Sequence, residues 1–297
     1  MAQTTESLGR RLHTTREIGA VVRTMKALAA VNIRQFERAS QALEDYRRTV
    51  ELGLGAALLA RPGYLAQTRA AQPGGPVAAV VLGTDQGMCG SLNEQVAELA
   101  MASLRDLEPR EASRTVLAVG ERLAGRLEDR EQAVHAKRDV PGSVSGLTPA
   151  VQQVLVLLDH WRQAGQAERV FVYHARPVPG AAFEAVGRQL LPIDRAWLSR
   201  FALEPWPTNQ LPLVAGDWRG TFAALLRQML LVSLFGAFAD SLAAENASRL
   251  AAMQGAERNV EERLAELTQA YNQARQQSIT EELLDIAAGF EALAGGP

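Results

Sequence analysis

The chain has 297 residues, 47% hydrophobic and 22% charged, with a formal net charge of -2. That is enough apolar material for one large core or two smaller ones, and too little positive field for sequence-independent binding of nucleic acid. A single cysteine, Cys89, excludes an intrachain disulfide framework and fits a reducing compartment.

At the N-terminus Arg10, Arg11, Arg16 and Arg23 break up any apolar run that could serve as a secretory signal, so the sequence predicts a chain that stays in the cytosol. Everything before the first proline, Pro62, reads as one long helix (residues 1–60), rich in Ala and straight-chain residues. Val22, Met25, Ala29, Asn32, Phe36, Ala39, Leu43, Tyr46 and Val50 recur at alternating spacings of three and four. Such a repeat puts its members on one narrow stripe that needs a partner helix.

In residues 61–215 the period changes. Val77–Leu82 is a short apolar run with β-branched residues, followed by a glycine-rich turn and a helical stretch from Leu92 to Leu104. Thr115–Val119 predicts a second strand, Val151–Trp161 a helix and Val170–Tyr173 a further strand, with Val140–Pro149 as a loop between them. Strands alternating with helices predict a parallel sheet with right-handed crossovers. Trp206–Gly216, with two prolines, separates this unit from the C-terminal segment.

Residues 216–297 predict a second long helix, since no proline lies between Pro212 and Pro297. Its seam runs Met229, Val232, Ala239, Ala243, Asn246, Leu250, Met253, Val260, Leu264, Leu267, Tyr271 and Ala274. Residues 1–48 hold 9 Lys/Arg against 5 Asp/Glu, and residues 240–297 hold 4 against 10, so opposite charge favours pairing of the two stripes. At about 1.5 Å per residue the helices would be roughly 80 and 110 Å long, more than a compact globule of this size can contain. Several shorter stacked helices broken at Gly53, Gly216, Gly220, Gly236 and Gly255 are the alternative. Phe222–Leu242 approaches the length of a membrane span, but Arg227, Gln228 and Asp240 within it speak against one.

The usual chemistries find no support. The turn Gly83-Thr84-Asp85-Gln86-Gly87-Met88-Cys89-Gly90 has neither the lysine of a phosphate loop nor the glycine spacing of a dinucleotide fingerprint. Gly53-Leu54-Gly55 comes after a helix rather than a strand. His13, His135, His160 and His174 lack metal-ligand spacing and read as surface or satisfied histidines. Gly142-Ser143-Val144-Ser145-Gly146 has Val where a nucleophile elbow needs Ser. Cys89 reads as a half-buried inert thiol. Neither a catalytic residue nor a cofactor or metal site is expected.

The residues also carry a resemblance. Tyr271-Asn272-Gln273-Ala274-Arg275-Gln276-Gln277-Ser278-Ile279-Thr280 is similar to the tyrosine-asparagine-x-alanine-arginine-glutamine-x-serine-isoleucine-threonine signature near the end of F-type ATP synthase gamma subunits. Glu245 to Met253 resembles that family's glutamate, alanine, arginine, methionine stretch, with Asn259 in its expected place beyond it. Thr84 to Asn93 resembles its glycine-rich turn, Thr24 to Ala30 its first helix, and Glu204-Pro205 its foot. The likeness covers the whole chain and is strongest over the last 55 residues. Gln86 replaces the usual arginine, Asn32 and Gln254 stand where many members have lysine, and Leu203 takes a position often aromatic. These departures leave room for a divergent bacterial branch. The dithiol insertion of chloroplast members is absent.

The resemblance implies an α/β fold with a long coiled coil: antiparallel N- and C-terminal helices with a Rossmann-like α/β domain inserted between them. It implies a rotor shaft without a catalytic site, turning inside three alpha and three beta subunits. Its foot would rest on the epsilon subunit and the membrane c-ring, at the cytoplasmic face of the bacterial inner membrane. Arg275, Gln276, Thr280, Glu282 and Met25 would then meet the catalytic subunits. Leu283, Ile286 and Phe290 would turn in an apolar bearing, and Leu203, Glu204 and Pro205 would face the ring. On the residues alone, a nucleotide-binding α/β enzyme with helical extensions and a coiled-coil adaptor remain as alternatives.

Overall fold

The computed structural model describes residues 5–61, 63–67, 74–108, 110–178, 181–193, 195–203, 206, 208–210, 213 and 216–294, and side chains in these except at 66, 67, 181, 182, 195, 203 and 289–294. The described elements are α1 (Thr5–Leu59), α2 (Tyr64–Gln67), β1 (Val77–Leu82), α3 (Leu92–Leu107), β2 (Arg114–Val119), α4 (Glu121–Glu128), β3 (Ala136–Arg138), α5 (Val144–Gln163), β4 (Arg169–Val178), β5 (Ala181–Leu191), α6 (Arg195–Leu203) and α7 (Trp218–Ala294). The chain divides into two compact units, one of Met1–Leu28 with Leu250–Pro297 and the other Ala29–Arg249.

Both long helices are continuous. Gly53 lies inside α1, and Gly220, Gly236 and Gly255 lie inside α7; an isolated glycine weakens a helix by only about 1 kcal/mol and does not force a break. Gly216 is different. Its φ of 79° turns the chain just before α7, and Asp217 then caps the helix, its carboxylate accepting from the N–H groups of Arg219 and Gly220 at 3.0 Å each. This satisfies two of the first-turn donors that a helix cannot pair internally.

Within Ala29–Arg249 the sheet has the order β3-β2-β1-β4-β5. β1 pairs in parallel with β2 and β4, and β2 with β3. The three strands expected from the sequence are thus parallel, as predicted, whereas β5, which the sequence reading did not place, pairs antiparallel with β4. The reason is local: β5 begins only two residues, 179 and 180, beyond the end of β4, too few for the crossover that a parallel neighbour requires. β1 is buried along its full length. Ala78, Val80 and Leu82 face a cluster with Leu147, Val151, Val154, Leu158 and Trp161 of α5 and Leu234, Phe238 and Leu242 of α7. Val77, Ala79 and Val81 face Leu92, Val96 and Leu104 of α3 and Leu123 and Leu127 of α4. Helical cover on both sides explains why the strand lacks polar alternation.

The segment Val140–Pro149, expected to be a loop, is helical from Val144 onward. Leu147 is fully buried and begins the stripe that continues through Val151, Val154, Leu158 and Trp161. Burial of that stripe, worth roughly 1.5–3 kcal/mol per large side chain, holds the first turn in the helix although Pro149 removes one of its hydrogen bonds.

In the same unit α1 and α7 run antiparallel. The Asn32 side-chain amide donates to Asn246 Oδ1 at 3.3 Å, the Ser40 hydroxyl to Asp240 Oδ1 at 3.3 Å and the Tyr46 hydroxyl to Gln228 Oε1 at 2.9 Å. Further along, Val50, Leu54 and Leu58 join Phe201 of α6 and Trp218, Phe222 and Met229 of α7 in a third cluster. Helix α7 contains a stretch long and apolar enough to cross a membrane, and Phe222, Met229, Leu234, Phe238 and Leu242 within it are buried in the chain's own clusters.

The unit of Met1–Leu28 with Leu250–Pro297 is antiparallel as well. Leu8 and Leu12 pack with Leu267, supported by Leu264, Tyr271 and Ala274. A Cβ on Gly9 would lie 3.7 Å from the Tyr271 ring, one on Gly19 would lie 3.1 Å from Val260 Cγ1, and Lys26 pairs with Glu257. Every member of the two sequence seams is at least partly buried except Tyr46, which is 43% exposed and is held through its hydroxyl.

Candidate functional site

The glycine-rich turn at the carboxyl end of β1 is filled by its own side chains. Thr84 is wholly buried. Its N–H donates to Asn93 Oδ1 at 3.0 Å, its hydroxyl donates to the Gln86 carbonyl at 2.7 Å, and the Asn93 amide donates back to Thr84 Oγ1 at 2.8 Å. Asp85 accepts from the N–H groups of Glu121 at 2.9 Å and Val140 at 2.8 Å, which ties the turn to the starts of two neighbouring segments. Glycine is required twice. A Cβ on Gly83 would lie 2.5 Å from both Asn93 Oδ1 and Leu123 Cβ, and Gly120, at a φ of 110°, would place one 2.7 Å from the Thr84 backbone.

The turn is also fastened to α7. The Ser248 hydroxyl donates to the Cys89 carbonyl at 2.6 Å. Cys89 is fully buried rather than half-buried, and burial pushes its thiol above the ordinary value, so the reactive thiolate is suppressed. Beneath it, Arg249 Nη2 donates to Glu245 Oε1 at 2.6 Å, both side chains about nine-tenths buried. Among the described residues, Glu245 Oε2 and Arg249 Nε have no hydrogen-bond partner. Burial raises the Glu245 carboxyl above its ordinary range, Arg249 draws it back, and the Asp85 charge raises it further. An ion pair so placed adds little net stability as a pair, yet removing one partner strands the other. Sequence reasoning found these two residues only inside the family-like stretch, because opposite charges four apart on a helix ordinarily mark a solvated face.

The other site residues expected from the sequence lie near the end of α7. Arg275, Gln276, Thr280 and Glu282 are all exposed, and the Thr280 hydroxyl donates to the Gln276 carbonyl at 2.8 Å. Leu283 and Ile286 are 61% and 69% exposed, with Ile279 at 46% beside them. Their spacing puts Ile279, Leu283 and Ile286 on one face. No described residue covers them, since the cluster that α7 forms with Leu8 and Leu12 ends at Ala274. Met25 is half-buried in the same unit. The side chains of Phe290 and Leu203, and all of Glu204 and Pro205, lie outside the described residues.

The two places differ in chemistry. The turn is a closed, self-satisfied junction, whereas the end of α7 offers uncovered apolar side chains flanked by guanidinium, amide and carboxylate groups. The second arrangement is suited to contact with other chains.

Known proteins resemble this chain over nearly its whole length. The sequence pattern of a family described as ATP synthase matches residues 4–293. The ATP synthase gamma chain of Paracidovorax citrulli is 27% identical over 277 residues, spanning 92% of this chain and 93% of that one. The ATP synthase gamma chain of Dehalococcoides mccartyi is 28% identical over 288 residues, spanning 96% and 97%. Among solved structures, a chain of the Euglena gracilis mitochondrial ATP synthase, determined as OSCP/F1/c-ring in rotational state 3, shares the fold with a TM-score of 0.63 at 16% identity, covering 97% of this chain and 94% of that chain. A chain from the central stalk/c-ring of the Tetrahymena thermophila mitochondrial ATP synthase gives 0.55 at 20% identity, covering 80% and 99%. The chain therefore belongs to the ATP synthase family, and the relatives it matches there are gamma chains.

Proposed function

We propose that this chain is the central rotor shaft, the gamma subunit, of a bacterial F-type ATP synthase, coupling ion flow through a membrane ring to ATP synthesis or hydrolysis in a catalytic head. Residues 1–60 and 216–297 form the shaft and residues 61–215 the foot. Its partners are three alpha and three beta subunits, the epsilon subunit and the c-ring, at the cytoplasmic face of the inner membrane. Within the family, the observation that carries this reading is the end of α7, where Ile279, Leu283 and Ile286 are exposed on one face beyond the last contact with α1.

The physical account rests on asymmetry. Three identical catalytic subunits around one shaft cannot all meet the same face of it, so each is biased toward a different conformation. Rotation moves that bias around the ring and orders the binding and release of nucleotide. Leu283, Ile286 and Phe290 act as the bearing, because apolar contacts are non-directional and favour no particular angle. Arg275, Gln276, Thr280, Glu282 and Met25 make the directional contacts with the catalytic subunits, and Leu203, Glu204 and Pro205 face the membrane ring. The chain itself is non-catalytic. The packing of the Gly83–Gly90 turn on Asn93, Leu123 and Ser248 supports that part of the reading, since the space a phosphate would need is taken by protein.

Reconstitution tests it. The purified chain should not hydrolyse ATP, and adding it to separately purified alpha and beta subunits should raise their steady-state ATPase rate. Micromolar binding of ATP to the isolated chain, or a head whose rate is indifferent to the chain, would overturn the proposal.

A further inference from the structure

Within Ala29–Arg249, the end of β5, helix α6 and the α7 stretch around Met229 line an open cavity of about 610 Å³. Leu190, Ile193, Trp197 and Met229 give it an apolar lining, and Arg188 and Arg200 also stand at its wall. A volume of this size lies within the range of roughly 300–1,000 Å³ in which folded proteins enclose small ligands. The lining is fixed by its own contacts: the Trp197 ring meets Phe201 edge-on at 4.5 Å between centroids, and the Gln189 amide donates to the Pro192 carbonyl at 2.8 Å.

Among the described residues the charges at the cavity are unbalanced. Arg47, close by, is held by Glu44 and lies 3.9 Å from Glu51. Among the described residues no carboxylate stands within ion-pair distance of Arg188 or Arg200. Burial, and then the positive charges of Arg47 and Arg200, hold the Arg188 pKa below its ordinary value, with Glu51 offsetting part of this. Two cations gathered beside an apolar hollow disfavour each other, and an anion entering between them would relieve both. An inorganic anion would use the guanidiniums and leave the apolar lining wet. A neutral lipid would use the lining and leave the cations uncompensated.

We propose that this cavity binds an amphiphile with an anionic head, a carboxylate or phosphate held by Arg188 and Arg200, and a single apolar tail laid against Leu190, Ile193, Trp197 and Met229. The site is independent of the contacts assigned to the end of α7 and of whether the chain rotates.

Titration calorimetry on the full-length chain tests this with dodecyl phosphate and dodecanoate, each below its micelle-forming concentration. Saturable binding of one molecule is expected. Dodecyl maltoside and inorganic phosphate should each bind at least about tenfold more weakly, since each lacks half of the recognition. Replacing both cations, Arg188→Gln with Arg200→Gln, should lower affinity for the charged amphiphiles by about tenfold or more, as loss of charge-assisted hydrogen bonds does. Because the two like charges oppose each other, removing them should not lower the thermal midpoint. A second variant, Ala196→Phe, narrows the cavity at its exposed rim and should weaken binding of both heads. Preference for dodecanoate would point to a free fatty acid as the natural ligand, and preference for dodecyl phosphate to a lipid phosphate; either supports the site. Binding that never saturates, equal affinity for the maltoside, or a double variant with unchanged affinity would each overturn it.

Discussion

Helix α7 holds two stretches of opposite character. From Ala237 to Arg249 nearly every residue is buried, including Ser241, Glu245, Asn246, Ser248 and Arg249, and the last four bond within their own unit. From Arg275 to Ala288 all residues but Ser278 are exposed, although Ile279, Leu283, Leu284 and Ile286 are large and apolar. Hydrophobicity alone therefore does not separate inside from outside here. What separates them is whether this chain supplies the cover: the sheet and α1 do so for the first stretch, and no described residue does so for the second. Substitutions should divide along that line, with stability lost in the first stretch and function lost in the second.

The largest loss of stability is expected from Arg249→Ala. It leaves the Glu245 carboxylate buried without its cation, a change that typically costs about 3–5 kcal/mol. Urea denaturation of the isolated chain would read this directly. The paired replacement Glu245→Leu with Arg249→Met should recover most of it, because a buried ion pair replaced by apolar side chains of similar size is often neutral. Equal destabilisation by both variants would mean that the pair holds the turn through more than charge balance.

A second loss depends on pH. Burial holds His174 down to about 4, against an ordinary value of 6.5. Between those values the unfolded chain takes up a proton that the folded chain refuses. Stability from this group is therefore complete above pH 6.5 and falls as pH drops toward 4, by roughly 3 kcal/mol at most at about 1.4 kcal/mol per pH unit. Glu245 and Asp240 have carboxyls raised by burial and act in the opposite sense. The difference between parent and His174→Gln, measured as urea midpoints from pH 7 to pH 4.5, isolates the histidine. An unchanged slope in the variant would remove His174 as its source.

Much of this fold is legible in the residues, and the failures have physical causes. Both long helices, their seams and strand β1 are readable from periodicity, because each buries one face or two along its whole length. Helix α4, strand β3 and strand β5 are not. β3 has three residues, all at least partly exposed, and β5 carries Glu184, Arg188 and Gln189 on an edge where polar side chains meet solvent, so neither gives an apolar signal. The start of α5 is hidden by Gly146 and Pro149, which weigh toward a loop locally and are overruled by burial of Leu147. At the candidate site, Arg275 and its neighbours stand out only through the family-like signature, since an exposed polar helix face has no pattern of its own. The cavity beside Arg188 and Arg200 is invisible in the sequence, because it is assembled from elements that lie apart along the chain.

At the exposed end of α7 the expectation reverses. Arg275→Ala with Gln276→Ala should leave the stability of the isolated chain within about 0.5 kcal/mol, as exposed substitutions usually do. The stimulation of the head's ATPase should nevertheless fall, by about tenfold or more if the guanidinium makes one charge-assisted contact worth roughly 1.5–3 kcal/mol. Full stimulation by the double variant would remove these two residues from the coupling contacts while leaving the shaft reading in place.

The smallest effect should come from Leu283→Met with Ile286→Leu. If these side chains act as a bearing, what matters is apolar surface without angular preference, and swaps that conserve volume retain it. Stimulation of the head should stay within about twofold of the parent, a change of roughly 0.4 kcal/mol in a barrier where 1.4 kcal/mol is tenfold. Leu283→Ser with Ile286→Ser provides the contrast: stability of the isolated chain should again hold, because both side chains are exposed in it, but the chain should dissociate more readily from the assembled head. Fitted contacts would behave otherwise, since a shape-matched socket penalises Met and Leu nearly as much as Ser. Comparable loss with both pairs of substitutions would therefore replace the bearing with a directional lock at this end of the helix.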